Sequence, residues 1–326
     1  MTAVIDRLER DQVAVYLAAV ALGVFIGLVA PSVDGVFEAL IYPVLGAMLY
    51  ATFLQVPFTA LREAFADRRF LVAALGLNFV VVPPIVFALS RLAPDRQAVE
   101  LGVLLVLLTP CIDYVIVFTR LAGGSERRLL AAAPLLMFAQ MALLPVYLWL
   151  FMGSELADIV EPGPFVEAFA LLIVLPLGLA WATEAWAARS STGAQFKAAV
   201  DLTPVALMAL TMLVVVASQF PRVSDDIEQV AGVVPLYATF LVVMAVVGRV
   251  AAKALRFDAP AARALVFTGA TRNSLVVLPL ALALDDEYAL TAAVIVVQTL
   301  VELQGMLVYV RLVPRLLPGA RAMPVP

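Results

Sequence analysis

The sequence predicts an all-α polytopic membrane protein of ten transmembrane helices, built as a 5+5 inverted repeat with crossed broken helices four and nine. Three observations carry this expectation. First, 64% of the 326 residues are hydrophobic, only 14% are charged, and mean hydropathy is +1.03. Ordinary soluble domains are about 45–50% apolar. Second, the apolar runs are continuous and about 20 residues long, the length of a bilayer-crossing helix, and not the short alternating segments of a barrel. Third, two of the runs are interrupted by polar residues at corresponding places in the two halves of the chain.

Taken in order, spans are expected at 12–30, 36–56, 70–90, 99–122, 129–152, 165–188, 202–220, 230–250, 262–284 and 289–313, joined by short polar connections. Residues 1–326 then form a single transmembrane domain, with 12–152 as the first repeat and 165–313 as the second. The opening "MTAVIDRLERDQ" carries acidic residues and no cleavage pattern, which argues against a removable signal peptide. Positive charge is strongly one-sided. Seventeen Lys and Arg residues fall at the N-terminus, in alternate connections and in the tail, against Arg91, Arg96 and Arg222 on the other side. By the positive-inside rule both termini are cytoplasmic. The acidic clusters Glu155/Asp158/Glu161, Asp225/Asp226/Glu228 and Asp285/Asp286/Glu287 fall outside. Arginine far outnumbers lysine and alanine abounds, which suggests a GC-rich bacterial genome, and with the spans a bacterial plasma membrane.

Span four contains "LLTPCIDYV", with Thr109, Pro110, Cys111 and Asp113 inside five positions. Proline removes a backbone donor and clashes with the preceding turn, so the helix should break there. A mid-membrane carboxylate costs at least ~2.5–3.5 kcal/mol, and an intramembrane charge is a functional-site hypothesis. Ten spans with both ends on one side divide into two halves of opposite orientation, so a break in span four implies one in span nine. Span nine is interrupted by Thr268, Gly269, Thr271, Arg272, Asn273 and Ser274. Half-helices meeting at such breaks bring free N–H groups and free carbonyls to one point. Asp113 and Arg272 are the charged residues deep in these spans, and an ion pair between them would relieve both burial penalties. That pair is either structural, or part of a site where Arg272 is a fixed cation and Asp113 a proton carrier.

In span ten, Gln298, Glu302 and Gly305 share one helical face, and Glu302 must face the bundle or a wet cavity. Gln298, Gln304, Asn78 and Gln140 are expected to bond between helices, and Trp149, Trp181 and Trp186 to anchor span ends. Pro43, Pro134, Pro145, Pro176, Pro204, Pro235 and Pro279 are expected to kink their helices. Cys111 is the only cysteine and the chain has no histidine. Internal disulfides, multi-thiolate metal sites and imidazole chemistry are therefore excluded, and no cofactor is expected. A lone thiolate beside a helix break can still hold a soft solute loosely. The chain has no GxSxG, no HExxH and no segment left for a soluble domain, which argues against an enzyme or receptor. The expected partners are a small solute and membrane lipid, not nucleic acid.

Ten spans, "TPC" in span four, "TGATRN" in span nine and a glutamate midway in span ten resemble the bile acid:sodium symporter superfamily, and most closely its arsenite-efflux branch. The resemblance implies an antiporter of the arsenical-resistance type. In it Cys111 would contact As(III) and Glu302 would carry the proton. Beside them, Thr109, Thr271, Arg272 and Asn273 at the two breaks are the further candidates for the substrate site. Two departures stand out. Thr268 and Arg272 occupy positions where the sodium-coupled branch has sodium-binding residues, and a guanidinium there argues against sodium coupling. Asp113 and Arg272 replace small or neutral residues of the exporters, which leaves the substrate open between arsenite, antimonite and a small organic anion.

Overall fold

The computed structural model describes residues 12–30, 34–55, 67–94, 97–112, 114–153, 170–223, 227–284 and 286–318. Among these the chain is all-helical. The elements are α1 Gln12–Val29, α2 Asp34–Gln55, α3 Arg68–Ser90, α4 Gln97–Leu107, α5 Tyr114–Leu121, α6 Glu126–Met152, α7 Leu175–Ala187, α8 Ser191–Val200, α9 Pro204–Val223, α10 Ile227–Gly232, α11 Val234–Ala254, α12 Ala259–Ala270, α13 Ser274–Leu282 and α14 Ala289–Leu316. Four helices are each long and apolar enough to cross a membrane: α3, α6, α14 and the run Glu228–Ala254 that holds α11. The pair Ser191–Val200 and Pro204–Ser218, bent by 45°, adds a fifth, and Ala14–Val29, Ala39–Gln55 and Gln97–Leu107 are shorter apolar helices.

The helices pack in two groups. α9 packs against both α1 and α2, with α7 against α2 and α8 against α7. The second group is centred on α14, which packs against α4, α11, α12 and α13, while α12 also packs against α3, α5, α6 and α11. Contact between α9 and α14 joins the groups. Large apolar side chains such as Phe25, Leu28, Val80 and Leu150 point outward, as an apolar solvent requires. Trp149, Trp181 and Trp186 are also exposed.

In a bilayer every freed backbone group needs a partner inside the protein, because no water is there to supply one. In α3, Pro83 and Pro84 lack donors, and the preceding turn Leu77–Val81 widens to a π-helix. The carbonyl of Phe79, where Pro83 cannot donate, accepts the Tyr147 hydroxyl at 2.5 Å. Asp67 caps the start of α3, its carboxylate accepting from Phe70 N–H at 3.1 Å. The tight link between α5 and α6 uses Gly123 at φ +65°, a conformation that disfavours any side chain.

Two expectations are corrected. Residues 191–200 were expected to be connection, but they form α8, because Ser190 accepts from Gly193 N–H at 3.4 Å and Lys197 pairs with Asp201 at 3.0 Å one turn later. Its low hydrophobicity hid it from a search for apolar runs. Pro204 and Pro235 open helices instead of bending them, because the first turn needs no proline N–H. Pro43, Pro134, Pro145 and Pro279 lie inside α2, α6 and α13, which continue through them.

Basic residues from separate connections meet at one end. Arg128 donates to Asp67 at 2.7 Å and to Asp258 at 2.8 Å. Arg263 donates to the carbonyls of Ala122, Gly123 and Leu317. Arg91 pairs instead with Glu100, at the far ends of α3 and α4. The charges expected at residues 7, 10, 62, 96 and 321, and the acidic residues 155, 158, 161, 225, 226 and 285, lie outside the described residues.

Candidate functional site

The hydrophobic run through residues 97–121 stops being helical at Leu107 and resumes at Tyr114; the run through 259–282 stops at Ala270 and resumes at Ser274. The two interruptions cross. Cys111 N–H donates to the Thr271 carbonyl at 3.1 Å, and Asn273 N–H donates to the Thr109 carbonyl at 2.8 Å. This reciprocal exchange makes an antiparallel bridge centred on Pro110 and Arg272. Proline can sit at its centre because that position donates no bond to the partner. Thr109 and Thr271 have matching roles: each hydroxyl turns back to a carbonyl of the preceding helix, Leu105 or Val106 for one and Phe267 for the other.

The last carbonyls of a helix have no partner in the helix itself. For α4, the Leu104 carbonyl accepts from Leu108 N–H, Leu105 and Val106 meet Thr109, and Leu107 accepts from Arg272 Nη1 at 3.1 Å. For α12, Phe267 accepts from Thr271, while Thr268 and Gly269 accept from Arg272 Nη2 at 3.1 and 2.5 Å. Nη2 also donates to Asn78 Oδ1 at 2.9 Å, from the π-helical turn of α3. The guanidinium therefore closes the C-terminal ends of two half-helices together. Its carbon lies 5.3 Å from the centre of the Phe240 ring on α11, and Arg272 is 0% exposed.

Glu302 reaches the same crossing from α14 and is 1% exposed. Its Oε2 accepts from Arg272 backbone N–H at 2.8 Å and from Gln298 Nε2 at 2.6 Å. Its Oε1 accepts from the Tyr114 hydroxyl at 2.7 Å. The same hydroxyl lies 3.0 Å from the Arg272 carbonyl. Three donors converge on one carboxylate, which is the arrangement that holds a buried negative charge. Glu302 is thus tied to the backbone of Arg272, not to its side chain, in the bonds described.

Thr109, Cys111, Thr271, Arg272, Asn273 and Glu302 are all brought to this one crossing, and all are buried. Asp113, and with it the expected Asp113–Arg272 ion pair, lies outside the described residues. Gln298 bonds within its own helix to Glu302 and not between helices, because the i, i+4 spacing places them side by side. Asn78 does bond across helices, to Arg272 and to Thr268. Gln140 has no partner for either amide atom among the described residues. Tyr114 was missed in the sequence. Its signal was a hydroxyl in the first turn after the break, masked by an aromatic ring that reads as core. Asn273 Nδ2 and Gln298 Oε1 are buried polar atoms without a partner among the described residues. No cluster of three His, Cys, Asp or Glu side chains suited to a metal ion occurs among the described residues, so Cys111 stands as a single soft atom.

An all-helical membrane protein whose polar and charged groups converge on two interrupted helices belongs to the class of secondary transporters. A family model described as the sodium bile acid symporter family matches residues 42–226, more than half of the chain. The chain belongs to that family, whose members are transporters of small solutes and not enzymes. The match includes the first break and ends before the second. No curated protein matches the chain.

Proposed function

We propose that this chain is a proton-coupled exporter of arsenite, and of antimonite as its near analogue, in a bacterial plasma membrane. The observation that carries the reading is the placement of a buried Glu302 and the single cysteine against the same crossed backbone segment. Arsenite at neutral pH is an uncharged trihydroxide with a soft central atom. Cys111 offers a soft ligand. Asn273 Nδ2 and Gln298 Oε1 offer a donor and an acceptor to its hydroxyl groups. The single thiol cannot cage the metalloid, and a transporter needs a site its solute can leave.

Glu302 carries the proton in this scheme, and Tyr114 makes the change cheap. With the carboxylate charged, the tyrosine donates to Oε1. When a proton arrives on Oε1, the acid donates to the tyrosine oxygen, and the tyrosine hydrogen turns to the Arg272 carbonyl 3.0 Å away. Each hydroxyl hydrogen present is donated in both states, so no buried donor is stranded. The crossing is closed in this conformation, and solute reaches it when the α1–α2–α9 group moves relative to the α14 group. Ten spans, the 5+5 inverted repeat and cytoplasmic termini are part of the proposal. The reciprocal Thr109–Asn273 and Thr271–Cys111 bonds support local two-fold symmetry, and the gathering of Arg128 and Arg263 at one end supports the orientation.

A second reading, transport of a small organic anion, is favoured by one feature. A cavity of about 180 Å³ between α1, α9 and α14 is lined entirely by apolar side chains, including Val20, Val216, Phe220 and Leu300. It suits a hydrocarbon body and not a trihydroxide. Against it, the Nη atoms of Arg272 are engaged by protein oxygens and do not wait for a carboxylate. Expression in an arsenite-sensitive bacterium that lacks its own pumps separates the two. Lower intracellular arsenic supports the first reading; unchanged arsenic, with uptake or export of an organic anion, supports the second.

A further inference from the structure

The starts of α3 and α6 enclose a cavity that the transport scheme does not use. Both helices are long and apolar enough to cross a membrane. Both begin at the same end, where Arg128 Nε on α6 donates to Asp67 Oδ2, the cap of α3, at 2.7 Å. A cavity of about 150 Å³ lies between their opening turns. Its deeper lining is apolar: Phe70 and Leu71 come from α3, Ala131 and Ala132 from α6. Arg127 and Arg128 line it from the first turn of α6. Two guanidinium groups over an apolar floor, at the first turn of membrane-crossing helices, lie where hydrocarbon gives way to headgroups.

The charges around the cavity favour an anion. Asp67 also lines it, but both its oxygens are engaged, Oδ1 by Phe70 N–H and Oδ2 by Arg128. The bonds of Arg128 to Asp67 and Asp258 leave it further N–H groups to donate. Glu126 pairs with Arg120 at 3.5 Å. Arg69, in the same turn of α3 as Phe70, donates to the Leu255 carbonyl, and Arg263 donates to carbonyls of the α5–α6 link. Those acceptors are neutral, so both cations add to the local positive field. Guanidinium groups match phosphate oxygens in pairs, which a point charge does not.

We infer that this cavity seats the phosphate of an anionic phospholipid, held by Arg127 and Arg128. The first apolar part of the lipid then lies on Phe70, Leu71, Ala131 and Ala132. A free phosphate meets the same arginines but gains nothing from that apolar lining, and the lipid is the occupant for this reason. The bound lipid ties α3 to α6 from the membrane side, where Arg128 and Asp67 tie them within the protein. The inference needs α3 and α6 to cross a membrane and holds whichever solute is carried.

The test is thermal unfolding of the purified full-length chain in mixed micelles, at constant ionic strength. The lipid is phosphatidylcholine, or phosphatidylglycerol at the same mole fraction, or phosphatidylcholine with millimolar inorganic phosphate. A ligand that binds the folded chain alone raises its unfolding temperature. Phosphatidylglycerol is expected to raise it saturably, by several degrees over phosphatidylcholine, and inorganic phosphate is not. Arg127→Gln is expected to lose most of that gain. Arg189→Gln, the same charge change at an exposed site just after α7, is expected to keep it. Ala131→Leu fills the cavity with every charge in place and is also expected to lose the gain. If Ala131→Leu yields no folded protein, the Arg127 and Arg189 variants decide. Equal unfolding in the two lipids would overturn the inference, as would an Ala131→Leu protein that keeps the full gain. So would equal losses in Arg127→Gln and Arg189→Gln, which mark a diffuse surface effect. An inorganic phosphate effect as large as that of phosphatidylglycerol would make this a soluble-anion site and overturn the lipid.

Discussion

At the scale of single residues, the account turns on which atoms Glu302, Tyr114 and Cys111 share. Loss of the Tyr114 hydroxyl leaves Oε1 with one donor fewer. A hydrogen bond to a charged group contributes roughly 1.5–3 kcal/mol. Tyr114→Phe should therefore slow proton-driven arsenite export about tenfold or more, since 1.4 kcal/mol is a factor of ten, while leaving the protein folded in the membrane. A Tyr114→Phe variant with wild-type export in vesicles would remove the tyrosine from the proton path. Cys111→Ala should abolish arsenite resistance, and Cys111→Ser should not restore it, because a hydroxyl is a hard ligand. Full resistance in Cys111→Ala cells would remove the soft contact. Cys111, Arg272 and Glu302 were legible in the sequence because a thiol and two charges stand out in an apolar run. Tyr114 and Asn78 were not assigned to the site, since their roles depend on which oxygen lies opposite, and spacing along one chain does not give that.

At the scale of elements, both breaks were legible, the first from Pro110 and the second from the cluster of Thr, Gly, Arg and Asn at 268–273. What the sequence could not show is how Thr109 to Cys111 pairs with Thr271 to Asn273, because no hydrophobic pattern fixes the register of three residues against three. Helix α8 was invisible for the opposite reason: its stability comes from a cap and an ion pair, not from an apolar face. Close packing of α4 on α14 makes a separate test. A methyl added at Gly102 would lie 2.8 Å from Val294 Cγ1 and 3.0 Å from the Thr291 carbonyl, where Gly46 has nothing within 4 Å. Gly102→Ala should lower the unfolding temperature. Gly46→Ala should hold or raise it, since glycine costs a helix about 0.5–1 kcal/mol relative to alanine. Equal behaviour of the two variants would mean that α4 and α14 are not in such close contact.

At the scale of the molecule, composition alone settled that the chain is an all-helical membrane protein, and the one-sided arginines gave an expected orientation. Every site residue described is buried, so the proposed cycle requires the helix group α1, α2 and α9 to shift against the group around α14. The orientation has a direct check. In a Cys111→Ser background, a cysteine at Arg127 should react with an impermeant maleimide only in inside-out vesicles, and one at Arg91 only in intact cells. The reverse pattern would place the basic end outside.

The central claim is that the proton gradient drives this transporter through Glu302. It is tested most directly in inside-out vesicles free of sodium, by following As(III) accumulation when an inward-acid pH gradient is imposed. The account predicts accumulation with the wild-type chain, none with Glu302→Gln, and no further gain on adding a sodium gradient. Accumulation that requires sodium, or that survives in Glu302→Gln, would contradict it.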